Sequence, residues 1–297
     1  MVEIRKPTDN RYVKSLFFAP SGAGKTVLIG TAQEDERTAP MLFLDFEGGD
    51  ESLAGLDVDI VEIRSWEDWN ETYEMLMSGD HGYKSIGVDS ISETHKWALL
   101  TILDKEKDTR KNPDLLEQRD YGTATVQMRR LLRAFRDLPM HVFFSAHAKE
   151  VEIPREGRVR VPDLSGQMAE EVPGLMSVVG YLAQYEEEGE LHRLLLLHSY
   201  PKFRIKVRTP WKVEVPSELE DPTITSLLDL LNFDSPAEDD EPKAKPRRAK
   251  RDTAANRRRQ RIQEQEMQRE IDEKEKVPEP EDGQEGEESP AGEEVAA

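Results

Sequence analysis

The stretch that decides the fold reads Ala19-Pro20-Ser21-Gly22-Ala23-Gly24-Lys25-Thr26. It follows the apolar run 14–19, which predicts a strand, and it opens a helical pattern from about residue 24. Except at Ala19, the stretch fits the phosphate-binding pattern G-x-x-x-x-G-K-[ST] in the strand-to-helix context that this pattern requires. Alanine at the first position is compatible with the loop if its φ stays negative. The alternative is an ordinary Gly-rich turn.

Each residue type in this loop has a chemical reason to be there. Gly22 and Gly24 let backbone N–H groups point inward at a β-phosphate. Lys25 would reach the β- and γ-phosphates, and Thr26 would ligate magnesium. The sequence therefore predicts ATP and Mg²⁺ as cofactors. The predicted nucleotide-binding residues are Ala19, Pro20, Ser21, Gly22, Ala23, Gly24, Lys25 and Thr26.

A second magnesium ligand is predicted at Asp89, which ends the apolar run 85–89. A carboxylate at the end of such a strand holds the metal of a bound nucleotide, directly or through water. The alternative is that Asp89 or Ser90 caps the helix that starts at Ile91, and Ser90 is the better candidate for that cap.

Alternation of apolar strands and helices predicts an α/β fold, with a mostly parallel central sheet flanked by helices. The predicted strands are 14–19, 41–45, 58–63, 85–89 and 141–146, and the predicted helices between them are 66–77, 91–103 and 115–135. Antiparallel strands are added later in the chain. They are a β-hairpin at 151–161 and strands at 178–184, 191–198 and 203–207, with a tight turn at 186–190 and a last helix at 223–231 capped by Thr223 or Thr225.

Composition separates a folded domain, residues 1–234, from a charged tail, residues 235–297. Charged residues make up 34% of the chain and the net charge is −20. The tail has a basic segment at 243–261 and an acidic one at 279–294, and such a composition predicts disorder.

The chain has no cysteine, which excludes disulfides and thiolate metal sites. No apolar run approaches the roughly 20 residues of a membrane span, so we expect a cytoplasmic protein without membrane contact.

The stretch Asp45-Phe46-Glu47 follows the second strand and resembles the Asp-x-Glu of RecA-like ATPases. The resemblance implies that Glu47 polarises the attacking water. AAA+ and helicase-type proteins usually carry this glutamate directly after the magnesium-binding aspartate, where this chain has Ser90. The alternative is that Glu47 is a solvated loop acid beside Gly48.

Two further elements fit the same resemblance. His147 ends the strand 141–146, where RecA-like proteins hold a γ-phosphate sensor. Lys202-Phe203-Arg204 resembles the Lys-x-Arg whose cations reach the γ-phosphate of a neighbouring subunit. The alternatives are a structural histidine and a charged strand face.

Residues 12–215 together resemble phage-encoded RecA-like ATPases of the single-strand annealing or recombination type, relatives of RecA and RadA. The resemblance implies ATP-dependent binding and pairing of single-stranded DNA in phage recombination or replication, in the host cytoplasm. It also implies a homo-oligomeric ring or filament with shared ATP sites. Two other functions stay open: a phage helicase or helicase loader, and a nucleotide-gated DNA-binding protein with little hydrolysis, for which Ala19 leaves room.

Two basic stretches are candidates for DNA contact. Residues 149–161 follow the sensor strand and carry Lys149, Arg155, Arg158 and Arg160, which would bind phosphates without reading bases. The alternative is a solvated hairpin. The segment 243–261 is the other candidate, and the acidic end of the chain would compete with DNA for it. The tail could also bind single-strand-binding or replication proteins.

Overall fold

The computed structural model describes residues 12–233, apart from 111, 113, 165–167 and 210–212. The chain divides into two units, Met1–Lys245 and Pro246–Ala297, and all the described residues belong to the first. The predicted tail, residues 235–297 with its basic and acidic segments, lies outside the described residues. Its disorder and the domain boundary before it stay predictions.

Strands and helices alternate through the first half of the described chain. The strands are β1 Lys14–Ala19, β2 Met41–Asp45, β3 Asp59–Glu62, β4 Ser85–Asp89, β5 His141–Ile153, β6 Gly157–Pro162, β7 Val178–Glu187, β8 Glu190–Leu196, β9 Lys206–Val207 and β10 Glu218–Glu220. The helices are α1 Lys25–Gly30, α2 Trp66–Ser78, α3 Ile91–Glu106, α4 Gln118–Asp137, α5 Met168–Leu175 and α6 Ile224–Leu230. None of these described helices combines the length and apolar character needed to cross a membrane.

The sheet is mostly parallel, as predicted. Its strand order is β10-β8-β7-β1-β5-β4-β2-β3, and all neighbours from β7 to β3 pair in parallel. The antiparallel additions are β8 and β10 at one edge, β6 beside β5, and β9 beside β7. This arrangement confirms the predicted fold class, an α/β fold with a mostly parallel central sheet and added antiparallel strands.

Parallel pairing brings the carboxyl ends of the central strands to one edge of the sheet. Ala19 of β1 lies opposite His147 of β5, and Asp45 of β2 lies opposite Asp89 of β4. Residues that are far apart in the sequence therefore meet at this edge, where loops of α/β proteins bind ligands.

The central strands are buried on both faces, which explains why they read as continuous apolar runs. On one face, Phe17 of β1 packs in a cluster with Leu28 of α1 and Leu227 of α6. Gly87 lets α1 approach β4, because a Cβ at that position would lie 2.5 Å from Cγ2 of Ile29. Trp69 of α2 packs between Phe46 and Phe135 of α4 in tilted contacts, with ring centroids 4.8 and 4.4 Å away.

The elements outside the parallel core differ most from the prediction. The predicted strand 203–207 is reduced to β9, because Phe203 turns back on Tyr200 and forms only an isolated bridge with Arg160. The predicted strand 141–146 runs on without a break into the hairpin as β5. The helix α4 begins at Gln118, after a capping box of Glu117 and Asp120. The helix α5 and the strand β10 were not predicted.

Three predicted local features are confirmed. Thr223 caps α6, accepting a hydrogen bond from the N–H of Ser226. The turn of the β5–β6 hairpin has Arg155 at φ 73° and Gly157 at φ 78°. The tight turn between β7 and β8 has Glu188 and Gly189 at positive φ.

Candidate nucleotide-binding site

The loop between β1 and α1 has the conformation that a phosphate cradle needs. Gly22 and Gly24 have φ of 76° and 93°, in the left-handed region that favours glycine. Ala19 is the last residue of the extended strand β1 and is not among the described residues with positive φ. An alanine therefore fits the first position of the motif without strain.

Lys25 lies inside this loop. Its Nζ donates hydrogen bonds to the carbonyl oxygens of Pro20 and Ala19, at 3.1 and 3.5 Å. Burial lowers the pKa of Lys25, and the negative charges of Asp89 and Glu47 oppose that effect. The ammonium group is thus held among the elements that would surround a triphosphate.

The predicted metal ligands Thr26 and Asp89 are in direct contact. Oγ1 of Thr26 donates a hydrogen bond to Oδ2 of Asp89, and Oγ of Ser145 donates one to Oδ1. Burial raises the pKa of Asp89, although both hydroxyl groups lower it. A buried carboxylate beside a hydroxyl oxygen is the kind of ligand set that Mg²⁺ prefers, and a cation would stabilise its ionised form. These residues therefore fit the metal.

Glu47 and His147, which are 100 residues apart, are paired at the same edge. Nε2 of His147 lies 2.9 Å from Oε1 of Glu47 and donates a hydrogen bond to it. Burial raises the pKa of Glu47, but the hydrogen bonds from His147 and Ser90 outweigh it, so the net pKa is lowered. The hydrogen bond to Glu47 raises the pKa of His147. The pair is about a quarter exposed, with side-chain values of 28% for Glu47 and 27% for His147.

Serine side chains at the start of α3 link this pair to the rest of the site. Ser90 is the N-cap residue of α3, as predicted, but its hydroxyl group donates to Oε1 of Glu47 instead of bonding to the helix. The peptide bond between Asp89 and Ser90 is cis. Oγ of Ser92 accepts from the N–H of His147 at 3.0 Å and donates to the carbonyl oxygen of Asp163 at 2.9 Å.

Asp45 positions Glu47, a role that the sequence analysis missed. Its carboxylate Oδ1 accepts the backbone N–H groups of Glu47, Gly48 and Gly49, at 3.0, 2.9 and 3.4 Å. Asp45 is 4% exposed, so these bonds are shielded from water. The Asp45 carboxylate therefore fixes the conformation of the turn that carries Glu47. In the sequence, this positioning role was indicated only by the place of Asp45 in the Asp-x-Glu stretch.

We expect Asp45→Ala to lower kcat for ATP hydrolysis by about 100-fold, because small misplacement of a catalytic group has that effect. The Kd for ATP should change little, since Asp45 is bonded to the turn of Glu47. Asp45→Asn keeps one acceptor oxygen and should retain more activity than Asp45→Ala. Steady-state kinetics with nucleotide titrations measure both quantities, and equal kcat in all three proteins would contradict the positioning role.

Lys202 and Arg204 belong to the segment between β8 and β9, which packs against the strand β6 of the hairpin. The Lys202 carbonyl oxygen accepts the Arg160 N–H at 2.7 Å, and the Arg204 N–H donates to the Arg160 carbonyl oxygen at 2.9 Å. The Arg204 guanidinium pairs with Glu156 at 2.9 Å. Among the described contacts, neither cation touches the phosphate loop of its own chain, and their predicted role in a neighbouring site stays a prediction.

Two of the hairpin's cations, Lys149 and Arg160, are paired with acids. Lys149 pairs with Asp163 at 3.2 Å, and Arg160 pairs with Glu150 at 3.2 Å. Arg160 also lies over the Phe203 ring, 5.6 Å from its centroid. Arg155 is exposed at the tip of the hairpin. This surface is therefore charged but not a continuous basic groove.

Residues 11–209, more than half of the chain, match the family model described as AAA domain. A KaiC-like protein, PH0186 of the hyperthermophilic archaeon Pyrococcus horikoshii OT3, is 16% identical, with a TM-score of 0.41 over 71% of this chain and 89% of that one. No curated protein matches the chain. Because this family model covers more than half of the chain, the chain belongs to the AAA-domain family of P-loop ATPases.

Proposed function

We propose that this protein hydrolyses ATP, with Glu47 as the general base. The observation that carries the proposal is the pairing of Glu47 with His147 at the sheet edge that also holds Lys25 and Asp89. A base must lie within reach of the water it activates and must be ionised at the working pH. The lowered pKa of Glu47 meets the second condition.

The other residues of the site have separate tasks in this proposal. The loop N–H groups and Lys25 hold the β- and γ-phosphates, and a magnesium ion held by Thr26 and Asp89 would neutralise charge on them. His147 fixes the orientation of the Glu47 carboxylate through its hydrogen bond. A change in the charge of Glu47 or of the γ-phosphate would alter that bond, which makes His147 suited to report hydrolysis.

Single-stranded DNA is the proposed effector. The support is that β5 continues from His147 without interruption to the hairpin, whose tip exposes Arg155. The balanced ion pairs along the hairpin limit its contact to a few phosphates, which is compatible with binding that does not read bases. A role in phage recombination or replication, and contact of the tail with single-strand-binding or replication proteins, belong to the same proposal.

Subunits are proposed to assemble head-to-tail into a ring or filament. Lys202 and Arg204 would then approach the γ-phosphate of the neighbouring subunit, as an arginine finger does. The Arg204–Glu156 pair is partly exposed, with 34% and 48% of the side chains accessible, so Arg204 can exchange partners at modest cost.

The test is ATP hydrolysis by the full chain with and without single-stranded DNA. We expect hydrolysis that DNA stimulates, and absence of any hydrolysis would overturn the proposal. Hydrolysis that single-stranded DNA does not stimulate would support the ATPase proposal but would overturn the proposal that DNA is the effector.

Arg204→Ala should be nearly inactive alone but should regain activity when mixed with the Glu47→Gln variant. In mixed assemblies, the Glu47→Gln subunit supplies the missing arginine to a site with an intact base. Arg64→Ala, at a side chain 77% exposed, is the control. Full activity of Arg204→Ala by itself would contradict the shared site.

A further inference from the structure

The hairpin of β7 and β8 extends past the end of β1 and lies beside the phosphate loop. Pairing of β1 with β7 ends at Phe18 and Tyr181, whereas β7 continues to Glu187. In this extension, Gln184 of β7 lies directly opposite Arg193 of β8.

Both side chains contact the loop. Nε2 of Gln184 donates a hydrogen bond to the carbonyl oxygen of Gly22 at 3.2 Å. A Cβ added to Gly24 would lie 2.4 Å from Nε and 3.2 Å from Cζ of Arg193, so the guanidinium group packs directly on the glycine. Glycine at position 24 therefore has two roles: it allows the positive φ, and it leaves room for the guanidinium group of Arg193.

Arg193 is held firmly through its backbone, but its side chain pairs with no acid among the residues that the structure describes. Its N–H donates to Oδ1 of Asp221 at 3.1 Å, and the N–H of Asp221 donates to its carbonyl oxygen at 2.8 Å. Nε is buried and has no hydrogen-bond partner among the described residues, and no ion pair of the guanidinium is found there. A guanidinium that is partly removed from water without an acid is poorly stabilised until an anion reaches it.

We propose that Arg193 is a phosphate-binding residue of its own subunit, which pairs with α- or β-phosphate oxygens of a nucleotide in the loop 19–26. Gln184 is a positioning residue that fixes the Gly22 side of the loop. The inference rests on the proposed nucleotide binding and adds a cation that neither the loop motif nor the Lys202–Arg204 element contains. Because the contact is to the inner phosphates, Arg193 stabilises the diphosphate and the triphosphate alike.

The test is calorimetric titration of the full chain with Mg-ADP, Mg-ATP and inorganic pyrophosphate. Arg193→Ala should raise the Kd of all three by about tenfold or more, the effect of losing a charged hydrogen bond. Arg193→Lys should lie between Arg193→Ala and the unsubstituted protein, and Arg64→Ala should bind normally.

Different results have different meanings. Unchanged affinities in Arg193→Ala, with tight binding by the unsubstituted protein, would overturn this inference and leave the ATPase proposal intact. Absence of nucleotide binding by the unsubstituted protein would overturn both. Weaker binding of ADP with unchanged binding of pyrophosphate would place the contact on the nucleoside and overturn the phosphate assignment.

A second variant controls for a structural role of the side chain. Melting of the ligand-free proteins shows whether Arg193→Ala disturbs the fold. If it does, Arg193→Gln, which keeps a long polar side chain with two N–H donors but not the charge, decides the matter. Loss of pyrophosphate affinity in a normally melting Arg193→Gln supports the inference, and retained affinity overturns it.

Discussion

Lys25→Ala is expected to abolish ATP hydrolysis and to raise the Kd for Mg-ATP by at least about 100-fold. Lys25 is 6% exposed, and its ammonium group already lies on the loop carbonyls where the β- and γ-phosphates would be bound. A charged hydrogen bond to phosphate in such a shielded place contributes about 1.5–3 kcal/mol, and this lysine would make more than one to a bound triphosphate.

Titration with a fluorescent nucleotide and phosphate-release kinetics together measure this effect. Lys105→Ala is a suitable control, because that side chain is 64% exposed and pairs with Glu67, which is 62% exposed. Nucleotide affinity within a factor of about two of the unsubstituted protein would contradict the placement of the phosphates in the loop 19–26.

Glu47→Gln is expected to bind ATP normally but to lower kcat by about 10²- to 10⁴-fold, the contribution of a general base. The amide retains Oε1 as an acceptor for His147 and Ser90, so the local structure should persist. Only the ability to take a proton from water is lost.

Single-turnover hydrolysis with saturating ATP isolates this step from nucleotide binding. Glu51→Gln, at an exposed acid on the same loop, should behave like the unsubstituted protein. If Glu47→Gln turns over at the normal rate, another group is the base and the resemblance of residues 45–47 to the RecA-like Asp-x-Glu has no catalytic meaning.

The central strands could be predicted because burial on both faces leaves an apolar run with clear limits. Predicted bounds for β1, β2 and β4 agree with the structure to the residue. The meeting of Ala19, Asp89 and His147 at one edge follows from parallel pairing alone. The predicted elements outside this core depended on weaker signals, and α5 contains Pro173, which argues against a helix in the sequence.

The contacts that complete the site could not be predicted from the sequence. Ser145 meets Asp89 only because of the register between β4 and β5. Gln184 and Arg193 reach the loop because β7 and β8 extend beyond the end of β1. The length of each strand depends on its pairing within the whole sheet, so the sequence of one strand does not predict this extension. Asp45 reads as an ordinary strand-end acid until its three backbone donors are seen.

The strand β5 runs without a break from the site to the hairpin, so it connects the two as one stiff element. Beyond His147 it continues for six residues to Ile153, which at about 3.3 Å per residue spans roughly 20 Å. Pairing with β6 along this length stiffens it against bending. A small tilt of the strand at His147 would therefore be carried outward as a larger displacement of the hairpin tip, because no break in β5 lies between them.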